Sequence, residues 1–454
     1  MERMTAAPVP APPATQPRLS PWAPLGLRVF RMLWLAVLAS DIGTWMQTVG
    51  AQWMLVGVPN AATLVALVQT ADTLPDVLLA LPGGALADAF DRRRLLIWLQ
   101  AFQVAIGIGL TVLTLTGQMS PALLLAFTFA LGAASALATP AYQALIPELV
   151  PRHQLSSAAA LGGISVNLAR AIGPAVAGFL IARVGVGAVF ALNTAAFLLF
   201  AVVLIGWCRP AVEGGAAPEA FIPALRAGGR YVRYSPAVRR ILLHLGLFIA
   251  PATAIWALLP LVATRQLGFG PSGYGLLLGA LGAGALIGAF AMASVRAIDR
   301  QGRVLVVSGL VFCAALAAFV LCPLFWPGVA LLVVVGIAAT VFSTMIATMI
   351  QLRVPGELRG RVMSLYSITL IGLPSLGALG VAALADTLGE GRSSAWSRPL
   401  MGLLDLLGVN TLTSSLGAAA GAPRAILLGA LALLLVLALT APLFLRAGTA
   451  ASAQ

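Results

Sequence analysis

Hydrophobic residues run along this chain in blocks far longer than a soluble fold uses. An apolar stretch of about 20 residues is long enough to cross a bilayer as a helix. Twelve such stretches occur, over 32–58, 61–88, 94–116, 121–142, 155–181, 186–208, 239–263, 272–297, 303–322, 327–350, 361–385 and 424–446. None shows the period-2 alternation of a barrel strand, and in lipid only a helix or a closed barrel satisfies every backbone N–H and C=O. The pattern predicts an all-α membrane protein of twelve transmembrane helices. A polar segment, 209–238, with Pro210, Gly214, Gly215, Pro218 and several arginines, divides the spans six and six. It reads as a linker between two six-helix bundles, 32–208 and 239–446. Residues 1–31 read as a disordered cytoplasmic tail and 447–454 as a second one. The polar stretch 386–423 reads as an outer loop, with a candidate amphipathic segment around Leu400 to Leu407. Two six-span halves suggest a duplicated carrier whose binding site lies at the midplane between them.

Composition narrows the solvent and the partners. Of 454 residues, 60% are hydrophobic and 9% charged, too few charges to cover a soluble surface, so the lipid bilayer is itself a partner. The net charge of +13 comes from basic residues that are all arginine and are spread over short loops rather than gathered in one patch, which argues against nucleic acid. Arginine is concentrated on one side, at Arg92–Arg94, Arg152, Arg226–Arg240, Arg296–Arg303 and Arg353–Arg361. The other side holds Arg183, Arg265, Arg392, Arg398 and Arg424. By the positive-inside rule both termini are cytoplasmic and the chain is a multi-pass protein of the cell inner membrane. Cys208, Cys313 and Cys322 have no ligand-like spacing, so neither a metal nor another cofactor is expected. His153 and His244 are the only histidines, and no nucleotide loop or Ser-His-Asp arrangement is present, so the chain is not expected to be an enzyme. His244 reads as interfacial.

Polar residues inside the spans carry the candidate chemistry, because an ionisable group in hydrocarbon is costly and marks function by default. Asp41, Trp45, Thr48 and Gln52 are spaced 4, 3 and 4 and share one face of the first span. Gln69, Asp72 and Asp76 do the same in the second. Asp41, Asp72 and Asp76 are proton-coupling candidates. The alternative is that one of them is held in a static buried ion pair with Arg170, the one arginine inside a span. Arg170 would otherwise bind an anionic substrate group or be pinned to helix carbonyls near Gly173 and Pro174. Further cavity candidates are Tyr142, Trp256, Thr344 and Thr348, with Gln351 beside them, which suits a small amphipathic substrate. Gly173, Pro174 and Gly178 read as packing and hinge positions. Between the second and third spans, Gly84, Asp88, Arg92, Arg93 and Arg94 read as a cytoplasmic gate, with Asp88 accepting from Arg92 four residues on.

These residues also carry a resemblance. Gly84, Asp88 and Arg92–Arg94 match the signature between the second and third helices of the major facilitator superfamily. Gly43-Thr44-Trp45-Met46-Gln47, the run from Asn167 to Pro174 with Gly178, and Arg359-Gly360-Arg361-Val362-Met363-Ser364 resemble its branch of enterobactin exporters and macrolide-efflux proteins. The match runs from about Phe30 to Asp386 and resumes over the last span. It implies a two-bundle rocker-switch carrier that exports small molecules, with protons as the coupling ion; since no residue fixes direction, a proton-coupled importer on the same fold is the alternative, and a non-transporting membrane receptor or scaffold a further one. The chain departs from the pattern at Ala89, where the family carries a base, in a fourth span without arginine, and in the added stretch 386–423.

Overall fold

The computed structural model describes residues 20, 22–207, 233–294 and 301–354, part of 362–380, and 421–450. The segment 209–232, Arg359–Arg361 and the Leu400–Leu407 segment lie outside the described residues, as does the chain up to residue 19. Every regular element is helical among the described residues. The first half holds α1 (Arg28–Leu55), α2 (Ala61–Ala89), α3 (Arg92–Leu115), α4 (Pro121–Leu149), α5 (Leu155–Val184) and α6 (Val186–Gly206). The second holds α7 (Pro236–Ala252) continued by α8 (Ala254–Leu261), then α9 (Pro271–Ser294), α10 (Gln301–Leu321), α11 (Phe325–Arg353) and α12 (Gly421–Ala450). Helical residues between 362 and 380 lie between α11 and α12. Ten of the described helical runs are long and apolar enough to span a membrane, with shorter apolar pieces at Leu365–Pro374 and Ala422–Leu435. The chain is an all-α membrane protein.

Several boundaries move for physical reasons. The chain is ordered before residue 32: Ala23–Gly26 form a 3₁₀ turn and α1 begins at Arg28, because Phe30 is buried with Trp34, Val150 and Leu161. Helix α4 runs to Leu149 rather than ending at 142, since Leu145 packs in the first bundle's core with Leu33, Leu96 and Leu204, and Leu149 packs against it. Helix α7 starts at Pro236, inside the stretch that reads as linker, and α12 extends past residue 446. The seventh span is broken at Thr253, two residues after Pro251, which supplies no N–H to the helix.

Within the first half α1 lies against α5 and α6, α2 against α4, and α3 against α4 and α6. In the second half α9 and α10 pack on α11, and α12 packs on α10 and α7. The halves meet mainly where α5 runs along α9. That contact is backbone against backbone. A Cβ added to Gly178 would stand 2.9 Å from Gly275 Cα and 2.5 Å from the Pro271 carbonyl oxygen, so no side chain fits there. The seam continues past Gly279, packed on Ala171 and Ala175, to Gly282 against the backbone of Arg170. On the far side of Arg170 the picture changes, and a Cβ at Gly163 or Gly162 meets nothing within 4 Å. The halves are therefore closely packed at the end where α5 finishes, while Gly162 and Gly163 face a pocket within the first half.

Candidate functional site

Between the two halves lies a cavity of about 510 Å³. Its walls differ in chemistry. The first half presents Thr44, Trp45 and Thr48 from α1, Gln69, Asp72 and Thr73 from α2, and Arg170 from α5. The second presents mostly apolar groups: Phe248, Trp256, Phe312, Phe342 and Leu370, relieved by Thr253, Thr340 and Ser343. Phe248 stacks on Phe342 with ring centroids 3.8 Å apart and tilts against Phe312 at 5.3 Å, which makes a continuous aromatic face. The two walls are tied at Trp45 and Trp256, whose rings lie 5.9 Å apart at 42°. Arg170 covers the other side of Trp45, with Cζ 5.5 Å from the ring centroid, a cation–π distance.

The acids sit in different places. Asp72 faces the central cavity. The Thr48 hydroxyl is its hydrogen-bond partner and also reaches the Thr44 carbonyl at 3.1 Å. Asp76, one turn on, lies near enough for the two charges to interact. Asp41 is elsewhere. It accepts from the Ser165 hydroxyl at 2.9 Å and lines a second cavity enclosed within the first half. Arg170 has no carboxylate within salt-bridge distance among the described residues, and its buried Nε has no hydrogen-bond partner among them. The static ion pair between Arg170 and a membrane acid is not formed. The guanidinium instead lies on Trp45, with its edge toward the central cavity.

Not every candidate lines the central cavity. Asp72, Trp45, Thr48, Arg170 and Trp256 do. Gln52 does not: it accepts a hydrogen bond from the Tyr274 hydroxyl of α9, buried at the sealed end beside a Trp53–Tyr274 ring stack. Tyr142 lines the second cavity, with Phe200 edge-on at 6.2 Å. Thr344 and Thr348 line neither cavity, and the Thr348 hydroxyl donates to the Thr344 carbonyl at 2.9 Å. The groups α11 does present are Thr340 and Ser343, about one turn earlier. Gly173 packs on α1, where an added Cβ would meet Trp45 Cβ at 2.7 Å, and so it sets the position of the tryptophan.

The basic turn is built differently from the expected gate. Arg92 donates to Glu148 Oε1 at 2.7 Å and to the Ala144 carbonyl at 3.1 Å, both on α4. Arg93 donates to the Leu204 and Ile205 carbonyls, each at 2.8 Å, and so caps the last turn of α6 where a cation is favoured. Asp91 caps α3 by accepting from the Arg94 amide at 2.9 Å. These contacts all stay within the first half, and they fasten α3 to its neighbours rather than to the other bundle. The Asp88 side chain lies outside the described residues. The close approach of α2 to α4 is made by Gly83, while a Cβ on Gly84 would meet nothing. Contacts that cross between the halves include Gln52 with Tyr274 and Gly178 with Gly275 at the opposite end, and Trp45 with Trp256 and Gly372 with Val77 nearer the middle.

The amino-acid pattern of residues 19–452 matches the family described as transmembrane secretion effectors. The chain is a major facilitator of the transmembrane secretion effector family. Among curated proteins, this secretion effector is similar to the enterobactin exporter EntS of Shigella boydii serotype 18, at 29% identity over 332 residues that cover 72% of this chain and 78% of the exporter. The exporter of Escherichia coli O139:H28 matches with the same identity and coverage. Among solved structures, a bacterial homologue of the human lysosomal transporter Spinster, inward-facing and occupied, superposes with a TM-score of 0.69 at 15% identity, covering 93% of this chain and 97% of that one. The nucleoside transporter NupG superposes with a TM-score of 0.67 at 10% identity, covering 92% and 98%. These likenesses establish the fold of a multi-pass membrane transporter.

Proposed function

We propose that this transporter exports a small amphipathic molecule across the inner membrane by alternating access, exchanging it for protons. The observation that carries the reading is the two-faced central cavity. Its polar wall with Asp72 and Arg170 suits hydrogen-bonding groups, and its wall of Phe248, Trp256, Phe312 and Phe342 suits an aromatic or lipophilic body. Export is supported by the relatives named enterobactin exporters. With both termini cytoplasmic, the α5–α9 seam closes the outer side, which suits loading from the cytoplasm. Asp72 is the foremost proton carrier, since it alone of the three acids faces the central cavity. Asp76, next to it, would share or relay the proton.

The test is a flux measurement in proteoliposomes with an imposed pH gradient, using enterobactin and a lipophilic cationic dye as substrates. Counterflow of protons and substrate that collapses on adding a protonophore is the expected result. Movement of both substrates that ignores the gradient would refute proton exchange, and accumulation along the direction of proton entry would refute export.

A further inference from the structure

The second cavity is lined wholly by the first half and shares only Thr44 and Trp45 with the central one. It measures about 560 Å³, within the range of small-molecule sites. Asp41 is the only formally charged side chain among its lining residues. Gln100 and Gln103 are 3% and 2% exposed, and each has a buried amide oxygen with no partner among the described residues. The Gln103 amide nitrogen is already engaged, donating to Ser135 Oγ at 2.9 Å, so its oxygen is what remains to offer. A buried acceptor left without a donor is costly, so the wall holds unspent acceptor capacity behind the Asp41 carboxylate. Two further walls, Trp34 and Tyr142, are aromatic.

We infer that this cavity is a second binding site, for a small organic ammonium. A single carboxylate supplies one negative charge and the oxygens that accept the N–H groups, and aromatic faces attract a cation that has left water. A divalent metal does not fit the donor set, since no group of three or more His, Cys, Asp or Glu side chains is present among the described residues. A bare alkali ion would fill little of the volume. The entrance lies between α4 and α5, where Thr139, Gln143 and Val166 are exposed and the helices barely touch. Only Thr44 and Trp45 line both cavities, so an occupant would press on the tryptophan that carries the Trp45–Trp256 contact. The site does not depend on the direction or the coupling of transport.

The experiment uses the full chain in lipid nanodiscs and isothermal titration with phenethylammonium, its neutral counterpart 2-phenylethanol, and Na⁺ and K⁺ chlorides. Phenethylammonium is expected to bind, with 2-phenylethanol at least about 10-fold weaker, because charge-assisted hydrogen bonds are the stronger kind. Asp41→Asn and Gln103→Leu should each weaken phenethylammonium by about 10-fold or more, while Trp256→Ala in the central cavity leaves it within about 2-fold. Val166→Trp, which changes the mouth and not the interior, should slow binding and guards against a misfolded Asp41→Asn. Absence of phenethylammonium binding overturns the inference. So does equal binding of 2-phenylethanol, heat from the alkali salts alone, or loss of binding in Trp256→Ala with Asp41→Asn unaffected. Proton-driven flux that survives Asp41→Asn would leave the transport reading intact whichever way the titration falls.

Discussion

The hydrogen bond from Tyr274 to Gln52 is the polar lock of the sealed end, and Tyr274→Phe removes it with little change of shape. Tyr274 is 0% and Gln52 2% exposed, so the Gln52 amide oxygen is left buried without its donor. Stranding such a group costs about 1–3 kcal/mol, against a net gain of only about 1 kcal/mol for making the bond. That cost falls on the state sealed at this end, since in the open state water reaches the amide. The sealed population should therefore drop about 5- to 150-fold relative to the open one. Gln52→Leu combined with Tyr274→Phe replaces both partners by apolar groups and should recover most of the loss. Spin labels at Val184→Cys and Gly270→Cys, at the ends of α5 and next to α9, report the opening by double electron–electron resonance, with Cys208, Cys313 and Cys322 replaced by Ala. Both label positions are open to solvent. A distance distribution unchanged by Tyr274→Phe, or a double variant shifted as far as the single one, would refute the reasoning.

Other outcomes follow from the same geometry. Asp72→Asn keeps an acceptor for Thr48 but loses the titratable group, so proton-driven flux should fall at least about 10-fold while substrate exchange without a gradient persists; equal loss of both would show a structural role instead. Trp256→Ala should raise the KM for an aromatic substrate about 10-fold, and Thr344→Ala, outside the cavity, should leave KM within about 2-fold. Arg92→Ala breaks a partly buried bridge to Glu148 and a bond to the Ala144 carbonyl, the Arg92 and Glu148 side chains being 29% and 12% exposed, so the thermal midpoint in detergent should fall by several degrees, for a loss of about 1–3 kcal/mol. A fall in transport without any fall in that midpoint would restore the arginine to a gating role. Gly178→Val places side-chain atoms where Gly275 and the Pro271 carbonyl already stand, so it should shift the spin-label distances further than Tyr274→Phe.

The span pattern was readable because length and apolarity alone decide whether a segment crosses lipid. The allocation of polar groups was harder to read, and α1 shows why. A helix rises about 1.5 Å per residue, so from Asp41 to Gln52 its shared face climbs about 16 Å. Over that climb the neighbour changes from Ser165 in the second cavity, to Asp72 in the central one, to Tyr274 in the outer lock. Spacing finds the face and says nothing of what lies opposite at each height. In α11 the same difficulty separates Thr340 and Ser343 from Thr344 and Thr348, one turn apart on similar chemistry. The partner of Arg92 was hidden for another reason. Glu148 is 56 residues away and belongs to α4 only because that helix continues past residue 142, where apolar residues thin out but Leu145 still packs.

The α5–α9 seam carries a consequence for speed. Backbone slides on backbone there, with no side chains to interdigitate, so the faces part without any rotamer having to be freed and rejoin without any search for a fit. Two aromatic or polar side-chain pairs also join the halves: Gln52 with Tyr274, which lies apart from the central cavity, and Trp45 with Trp256, which lines it. The Gln52–Tyr274 pair is then a place where the pace of the proposed cycle can change without altering the cavity wall.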